Sequence, residues 1–276
     1  MHVDLKDDLR QAIVVAKNEI KKFMAGKKII LFAILVLGLE ILNLVVPMVW
    51  GGGFDVIVLG DGFGRSSYVA DALLGNIALF IIIAAVLFTA TSIVSEFEER
   101  TALVLFTKPI RKWSIYFGKL LASLVIMIGF ILLIYLYAAV VCLAICGNLP
   151  YGFLTSLGLA ICAAFGSSGL AILLSSVFKK GSTASIMTLV VYLLVFLIIG
   201  GLITTYAHVE TWWMLDSAMG TISTALGNVA VVDYDPLTIF YSAVPGSELA
   251  RAAGAMAAWG VATSVIGFLF FQKRDF

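Results

Sequence analysis

Hydrophobic residues in this chain gather into six long runs instead of recurring at helical or strand spacing, and the polar residues fall between the runs. A helix needs about 20 apolar residues to cross roughly 30 Å of hydrocarbon. The runs at approximately Ile29–Val49, Leu73–Val94, Leu120–Cys146, Phe153–Val177, Ala184–Tyr206 and Arg251–Phe271 meet that length. Ahead of the first, Leu9, Ile13, Ala16, Ile20 and Phe23 recur at roughly helical spacing while Lys17, Lys21 and Lys22 face elsewhere. That pattern predicts an amphipathic helix lying along the membrane, which also serves as a basic anchor. The connection Trp50–Ala72 is rich in Gly and Asp and reads as a loop. In the last long connection, Trp212 and Trp213 suit the headgroup level. There Met219–Val232 reads as a short surface helix, ended by Asp235 and Pro236. The expected fold is an all-α membrane protein with six transmembrane helices and an N-terminal amphipathic interfacial helix. Its parts are an arm (1–28) and a six-span domain (29–276), with a connecting segment at 95–119 and an outer segment at 207–250.

Charge orients this arrangement. Of the 18 Lys and Arg residues, 16 lie in the arm, in the second and fourth connections, or in the tail. Only Arg65 and Arg251 fall on the other side. Cytoplasmic loops carry the excess of Lys and Arg, so both termini are expected in the cytoplasm of a multi-pass protein of the cell membrane. The composition agrees: 62% hydrophobic, 13% charged, mean hydropathy +1.08. A soluble domain has roughly 45–50% apolar and roughly 25% charged residues. A net charge of +1 leaves no basic surface for nucleic acid. The arm is too charged, and the following run too long, for a cleavable signal. Cys142 and Cys146 share a helix face, which suits a soft metal or, more simply, small packing residues; with Cys162 they lie inside apolar runs, so no disulfide framework is read from them.

The second connection carries the most chemistry. Ser95-Glu96-Phe97-Glu98-Glu99 opens it with acid, as the positive end of a helix dipole prefers. An apolar patch, Ala102–Phe106, follows, and Pro109 ends the helix. Arg111, Lys112 and Trp113 lead back to the membrane. The product is a short helix at the cytoplasmic face, either a docking element for a partner or a re-entry loop shielded by headgroups. The run Glu96-Phe97-Glu98-Glu99-Arg100-Thr101-Ala102, then Leu105-Phe106-Thr107-Lys108-Pro109-Ile110-Arg111 and Phe117-Gly118-Lys119-Leu120, resembles the signature of ABC-2 type transporter permeases. Ala16-Lys17-Asn18-Glu19-Ile20 and the ending Phe271–Phe276 are similar to elements of the same family, which includes NosY-like members. Arg100 stands where the family often has glycine.

The resemblance implies a type-2 ABC exporter-like architecture, in which two permease copies, as a homodimer, surround a pathway and each docks a separate ATPase subunit. It carries ATPase-coupling contacts to Glu96, Glu98, Glu99, Thr101, Leu105, Pro109 and Arg111. ATP and Mg would be bound by that partner and no cofactor by this chain, which has no G-x-x-x-x-G-K-[ST] phosphate loop. Membrane lipid is the remaining partner.

Glu40 lies near the middle of the first run, where a carboxylate costs about 2.5–3.5 kcal/mol on insertion scales. It is expected to be protonated, or hydrogen-bonded to groups such as Asn43, Thr89, Thr91 or Ser92. Two roles are open: a pathway or interface residue, or a satisfied helix contact. The small residues of the fourth run, among them Gly158, Gly166 and Gly169, read as helix packing, with a broken-helix site as the rival. A secondary ion-coupled transporter is the alternative function, and it would need several paired ionisable groups at mid-membrane. A membrane-embedded hydrolase lacks its metal ligands, since His2 and His208 lie outside the runs.

Overall fold

The computed structural model describes residues 5–50, 54–55, 57–60, 63–98, 111–234 and 237–273. Among them, six helices are long and apolar enough to cross a membrane. Span 1 is Lys27–Val49, span 2 Gly64–Glu96, span 3 Lys112–Cys146, span 4 Phe153–Val177, span 5 Gly181–Tyr206 and span 6 Gly246–Lys273. Most run past the apolar stretches that announce them, because a helix continues into the headgroup layer where polar residues cost nothing. The arm, the described ends of the 95–119 segment, the start of span 5 and the end of span 6 meet at one end of the bundle, here called the basic face.

Spans 2, 3, 4 and 6 build the core, while spans 1 and 5 are the least covered. Spans 4 and 6 touch closely. A Cβ on Gly169 would sit 2.7 Å from the Gly260 carbonyl oxygen, and one on Gly166 would sit 2.9 Å from that of Met256. The small residues of span 4 therefore do pack helices together. Cys142 is buried in the same core.

Two spans are not regular helices. Span 2 turns at Gly75–Asn76, widens to π-type turns at Ala85–Thr89 and is interrupted again before Val94–Glu98. Span 5 widens at Val191–Phe196 and Ile203–Ala207. Such π-type turns leave some backbone groups without regular partners and often mark functional places.

The end opposite the basic face departs from expectation. The connection read as a loop at 50–72 contains strand β1, Ile57–Gly60, and span 2 already begins at Gly64. The polar stretch after Gly64 is helical because its inward residues Ser66, Ser67, Val69 and Ala70 are buried, and Ser66 donates to the Phe63 carbonyl at 2.9 Å. The helix expected at 219–232 is Leu215–Thr224, and it is no surface helix. Leu215, Ala218, Met219 and Ile222 are buried against spans 4 and 6. The remainder becomes β2 (Asn228–Tyr234), paired antiparallel with β3 (Leu237–Ser242), while β1 pairs parallel to β3 on its other edge. The sheet order is β1-β3-β2.

The N-terminal arm, helix Leu5–Ala25, also differs. It packs along the basic end of span 3 through Ala12, Ala16, Glu19 and Phe23, while Leu9 and Ile13 are exposed. The buried stripe keeps Ala16 and Phe23 of the expected apolar face but is rotated to take in Ala12 and Glu19. Lys119 of span 3 provides the reason, because it draws Glu19 inward.

Candidate functional site

The basic face is organised around the end of span 2. Where that helix is interrupted, the amides of Ile93 and Val94 lose their helical acceptors. Ser175 of span 4 takes both, its Oγ accepting from Ile93 N at 3.1 Å and from Val94 N at 3.3 Å. A side chain from another span thus caps the helix Val94–Glu98, which opens the connecting segment. The segment's acidic residues then turn toward the protein. Glu98 Oε2 accepts from the backbone N of Gly181, the first residue of span 5, at 3.0 Å. A carboxylate at a helix N-terminus meets both a free amide and the positive end of the dipole.

Glu96 meets Lys119. This lysine, 2% exposed, donates to Glu96 Oε1 at 3.0 Å, to the Ser92 carbonyl at 3.0 Å and to Glu19 of the arm helix. An ammonium has three protons, and all three have acceptors. Desolvating such a cation costs several kcal/mol, so the acceptors are what make its burial tolerable. Lys22 of the arm also approaches Glu96, at 3.9 Å. Lys119 therefore ties three elements together: the arm, span 3 and the start of the connecting segment.

Its neighbour Gly118 explains how the arm comes so near. A Cβ on residue 118 would sit 2.8 Å from the Ala12 carbonyl oxygen and 2.9 Å from Val15 Cβ. Gly118→Val should push the arm away and cost about 1–3 kcal/mol by overpacking. Thermal unfolding of the purified chain reads the cost, and an unchanged midpoint would show that the arm docks elsewhere.

The far end of the segment is tied as well. Arg111 precedes the first turn of span 3 in an extended conformation. Lys112 Nζ donates to the Gln272 carbonyl at 3.2 Å, and the Tyr116 hydroxyl donates to the Ser264 carbonyl at 2.9 Å. Tyr116, Phe117, Phe268 and Phe271 form a small aromatic cluster between spans 3 and 6. A displacement of the connecting segment would thus be felt by spans 3, 4, 5 and 6 and by the arm.

Of the residues expected to contact an ATPase, Glu96 and Glu98 make the intramolecular contacts just described, and Arg111 is partly buried. Glu99, Thr101, Leu105 and Pro109 lie outside the described residues. Lys119 and Glu19 stand in the motifs that carry the resemblance, but neither they nor Ser175 were expected as site residues. The signal for Lys119 was present: a cation at the edge of an apolar run, with acids in both flanking segments.

Glu40 has none of the partners expected for it. It is 3% exposed, and neither carboxylate oxygen has a hydrogen-bond partner among the described residues. Asn43 Oδ1 accepts from Asn76 Nδ2 at 3.2 Å, and Thr91 is engaged with Lys28 and the Leu87 carbonyl. Thr89 lies against Met127 Sδ at 3.9 Å. Asn43 Nδ2 and the Tyr137 hydroxyl are likewise buried with no hydrogen-bond partner among the described residues. At the opposite end, a cavity of about 640 Å³ opens between span 4, span 6 and the sheet, lined by Tyr151, Thr155, Cys162, Tyr241 and Leu249 among others.

No curated protein matches the sequence. The family model described as ABC-2 family transporter protein matches residues 16–269. The match takes in spans 1 to 5, most of span 6, the second half of the arm helix, and Glu19, Glu96, Lys119 and Ser175, and family members are the membrane components of ABC transporters that work with an ABC ATPase. The chain belongs to the ABC-2 family of transporter proteins.

Proposed function

We propose that this permease subunit is driven by ATP hydrolysed on a separate subunit, which pushes on the segment 95–119 at the cytoplasmic face. The observation that carries the reading is the way this segment begins. It is capped by Ser175, tied through Glu96 to Lys119 and the arm, and tied through Glu98 to span 5. Force applied there has direct routes into four helices. The surplus of Lys and Arg at this face supports placing it, with both termini, in the cytoplasm of a cell-membrane protein. Glu99, Thr101, Leu105, Pro109 and Arg111 are the contacts offered to the ATPase, whereas Glu96 and Glu98 act by holding the segment in position. A second copy completes the pathway as a homodimer, and spans 1 and 5, the least covered, are available to it. Within the family, the resemblance is to its NosY-like members, and this finer assignment is part of the proposal.

An affinity-tagged chain, purified in mild detergent from its native membrane, should bring an ABC ATPase with it and hydrolyse ATP. The opposite result is equally clear. A chain that purifies alone and drives ion-coupled uptake in ATP-free vesicles would be a secondary transporter.

A further inference from the structure

Spans 4 and 6 touch at Gly166 and Gly169 but part beyond that crossing, toward the end opposite the basic face. The cavity of about 640 Å³ lies where they part. Thr155, Gly158 and Cys162 of span 4 form one wall, Leu249 and Ala253 of span 6 another, and Tyr241 of β3 a third. Cys162 lies nine residues after Phe153, the first of span 4, so the slot descends about 13 Å along that helix, into the hydrocarbon level. The room is real: a Cβ on Gly158 would meet nothing within 4 Å. Among the described residues, no Asp, Glu, Lys, Arg or His lines the cavity. A charged ligand would find no counter-ion there, and an unpaired buried charge costs far more than such a site returns.

Tyr241 shows what an uncharged ligand must offer. It is 4% exposed, and its hydroxyl has no hydrogen-bond partner among the described residues. A Cβ on Gly227, another lining residue, would sit 2.7 Å from Cζ of this ring, the atom that bears the hydroxyl. The polar end of Tyr241 is therefore at the cavity wall. A buried hydroxyl without a partner is costly, and an acceptor on a bound molecule would satisfy it. Thr155 offers a second hydroxyl from span 4. The rim shows where that molecule comes from. Tyr151 at the rim and Leu154 beside it are exposed at the start of span 4, as suits a surface that faces lipid.

We propose that this slot binds an uncharged glyceride lipid, with a hydrocarbon chain between spans 4 and 6 and an ester carbonyl accepting from the Tyr241 hydroxyl. A mostly apolar cavity with a few polar groups that fix orientation is the common form of a small-molecule site. The walls all come from one chain, so the site needs no second copy. It does not depend on what powers the chain; only the choice of the outer leaflet rests on the orientation proposed above.

The test uses the full chain in detergent with a diacylglycerol that carries a diazirine along one acyl chain. After ultraviolet irradiation, labelled peptides are mapped by mass spectrometry. Label on the exposed face of span 1, at Ile30, Ile34 and Leu37, measures contact with the micelle at large. Label should concentrate on residues 151–162 and 246–253, and unlabelled dioleoylglycerol should displace it there but not on span 1. Gly158→Phe, which fills the slot, should abolish the slot label. Tyr241→Phe keeps the ring and should weaken binding about 3–10-fold, the range of one hydrogen bond. Both proteins should keep the parent's helical circular dichroism; if Gly158→Phe does not, Tyr241→Phe decides. Slot label no stronger than that on span 1, or not displaced by dioleoylglycerol, would overturn the proposal, as would unchanged binding to Tyr241→Phe. Equal slot label from a diazirine fatty acid, presented as its carboxylate, would overturn the assignment to an uncharged lipid. Absence of slot label from a chain that elutes as a dimer would give the slot to a second copy and overturn the lipid.

Discussion

Lys119→Met is expected to destabilise the chain by about 3–5 kcal/mol, because it removes the buried cation that lies between two largely buried carboxylates and leaves Glu96 to the longer contact with Lys22. Glu19 and Glu96 have little water to fall back on: their side chains are 11% and 14% exposed. Without the ammonium they repel one another, and the Ser92 carbonyl also loses its donor. The arm should then separate from span 3 and the connecting segment should lose its position. Removing a single acid is milder. Glu19→Gln leaves Lys119 with Glu96, the Ser92 carbonyl and the new amide carbonyl, so about 1 kcal/mol is expected. The decisive protein is Lys119→Met/Glu19→Gln/Glu96→Gln. With no charge left to strand, it should recover most of the loss, which is the non-additivity expected of groups in contact. Thermal unfolding in detergent reads stability, and ATPase stimulation by the permease reads coupling. If Lys119→Met melts with the parent, the ammonium is not paired in the way described. If the triple variant is stable but uncoupled, the network transmits force as well as holding the fold.

This node shows where the sequence was legible and where it was not. The six spans follow from run length and hydropathy, which the bilayer imposes on any chain that crosses it. The bounds of span 4 match the expected run because 153–177 is free of charged residues and lies between the Gly147–Gly152 turn and Lys179-Lys180. Span 3 was found eight residues short, because its first two turns carry Lys112, Ser114 and Lys119 and lie beyond the apolar stretch. The sheet was missed for a different reason. Its central strand β3 pairs with a segment about 180 positions earlier, and no local pattern encodes that meeting. Asp235 and Pro236 read only as the end of a helix. At the basic face, Glu96 and Glu98 were recognisable as acids in the right segment, but charge alone does not say which way a side chain turns. It took the fold, with Gly118 admitting the arm and Gly181 starting span 5 beside the segment, to turn them inward.

Glu40→Leu is expected to raise the stability of the purified chain by about 2–3 kcal/mol, the cost of keeping an unpartnered carboxyl in the middle of a span. The position is inward: Phe32, Val36 and Glu40 form one buried stripe of span 1, and Phe32 packs edge-on against Phe88 and Phe130. A leucine at 40 continues that stripe with apolar contact. Glu40→Gln changes shape less and should recover only part of the gain, since its amide still lacks a partner in this packing. The functional effect should run the other way. Asn43 Nδ2 and the Tyr137 hydroxyl are donors left idle beside spans 1 and 3, and both can serve a carboxylate once the spans shift. We expect Glu40 to find these partners, or a polar group of the cargo, in another state of the cycle. Both variants should then slow transport-linked ATP hydrolysis at undiminished membrane abundance, with leucine the more severe. A variant that is both more stable and fully active would reduce Glu40 to a tolerated flaw in the packing. One that is less stable would mean that its carboxyl is satisfied by bound water linking it to Asn43 and Tyr137, and the cost ascribed to it here would be wrong in sign.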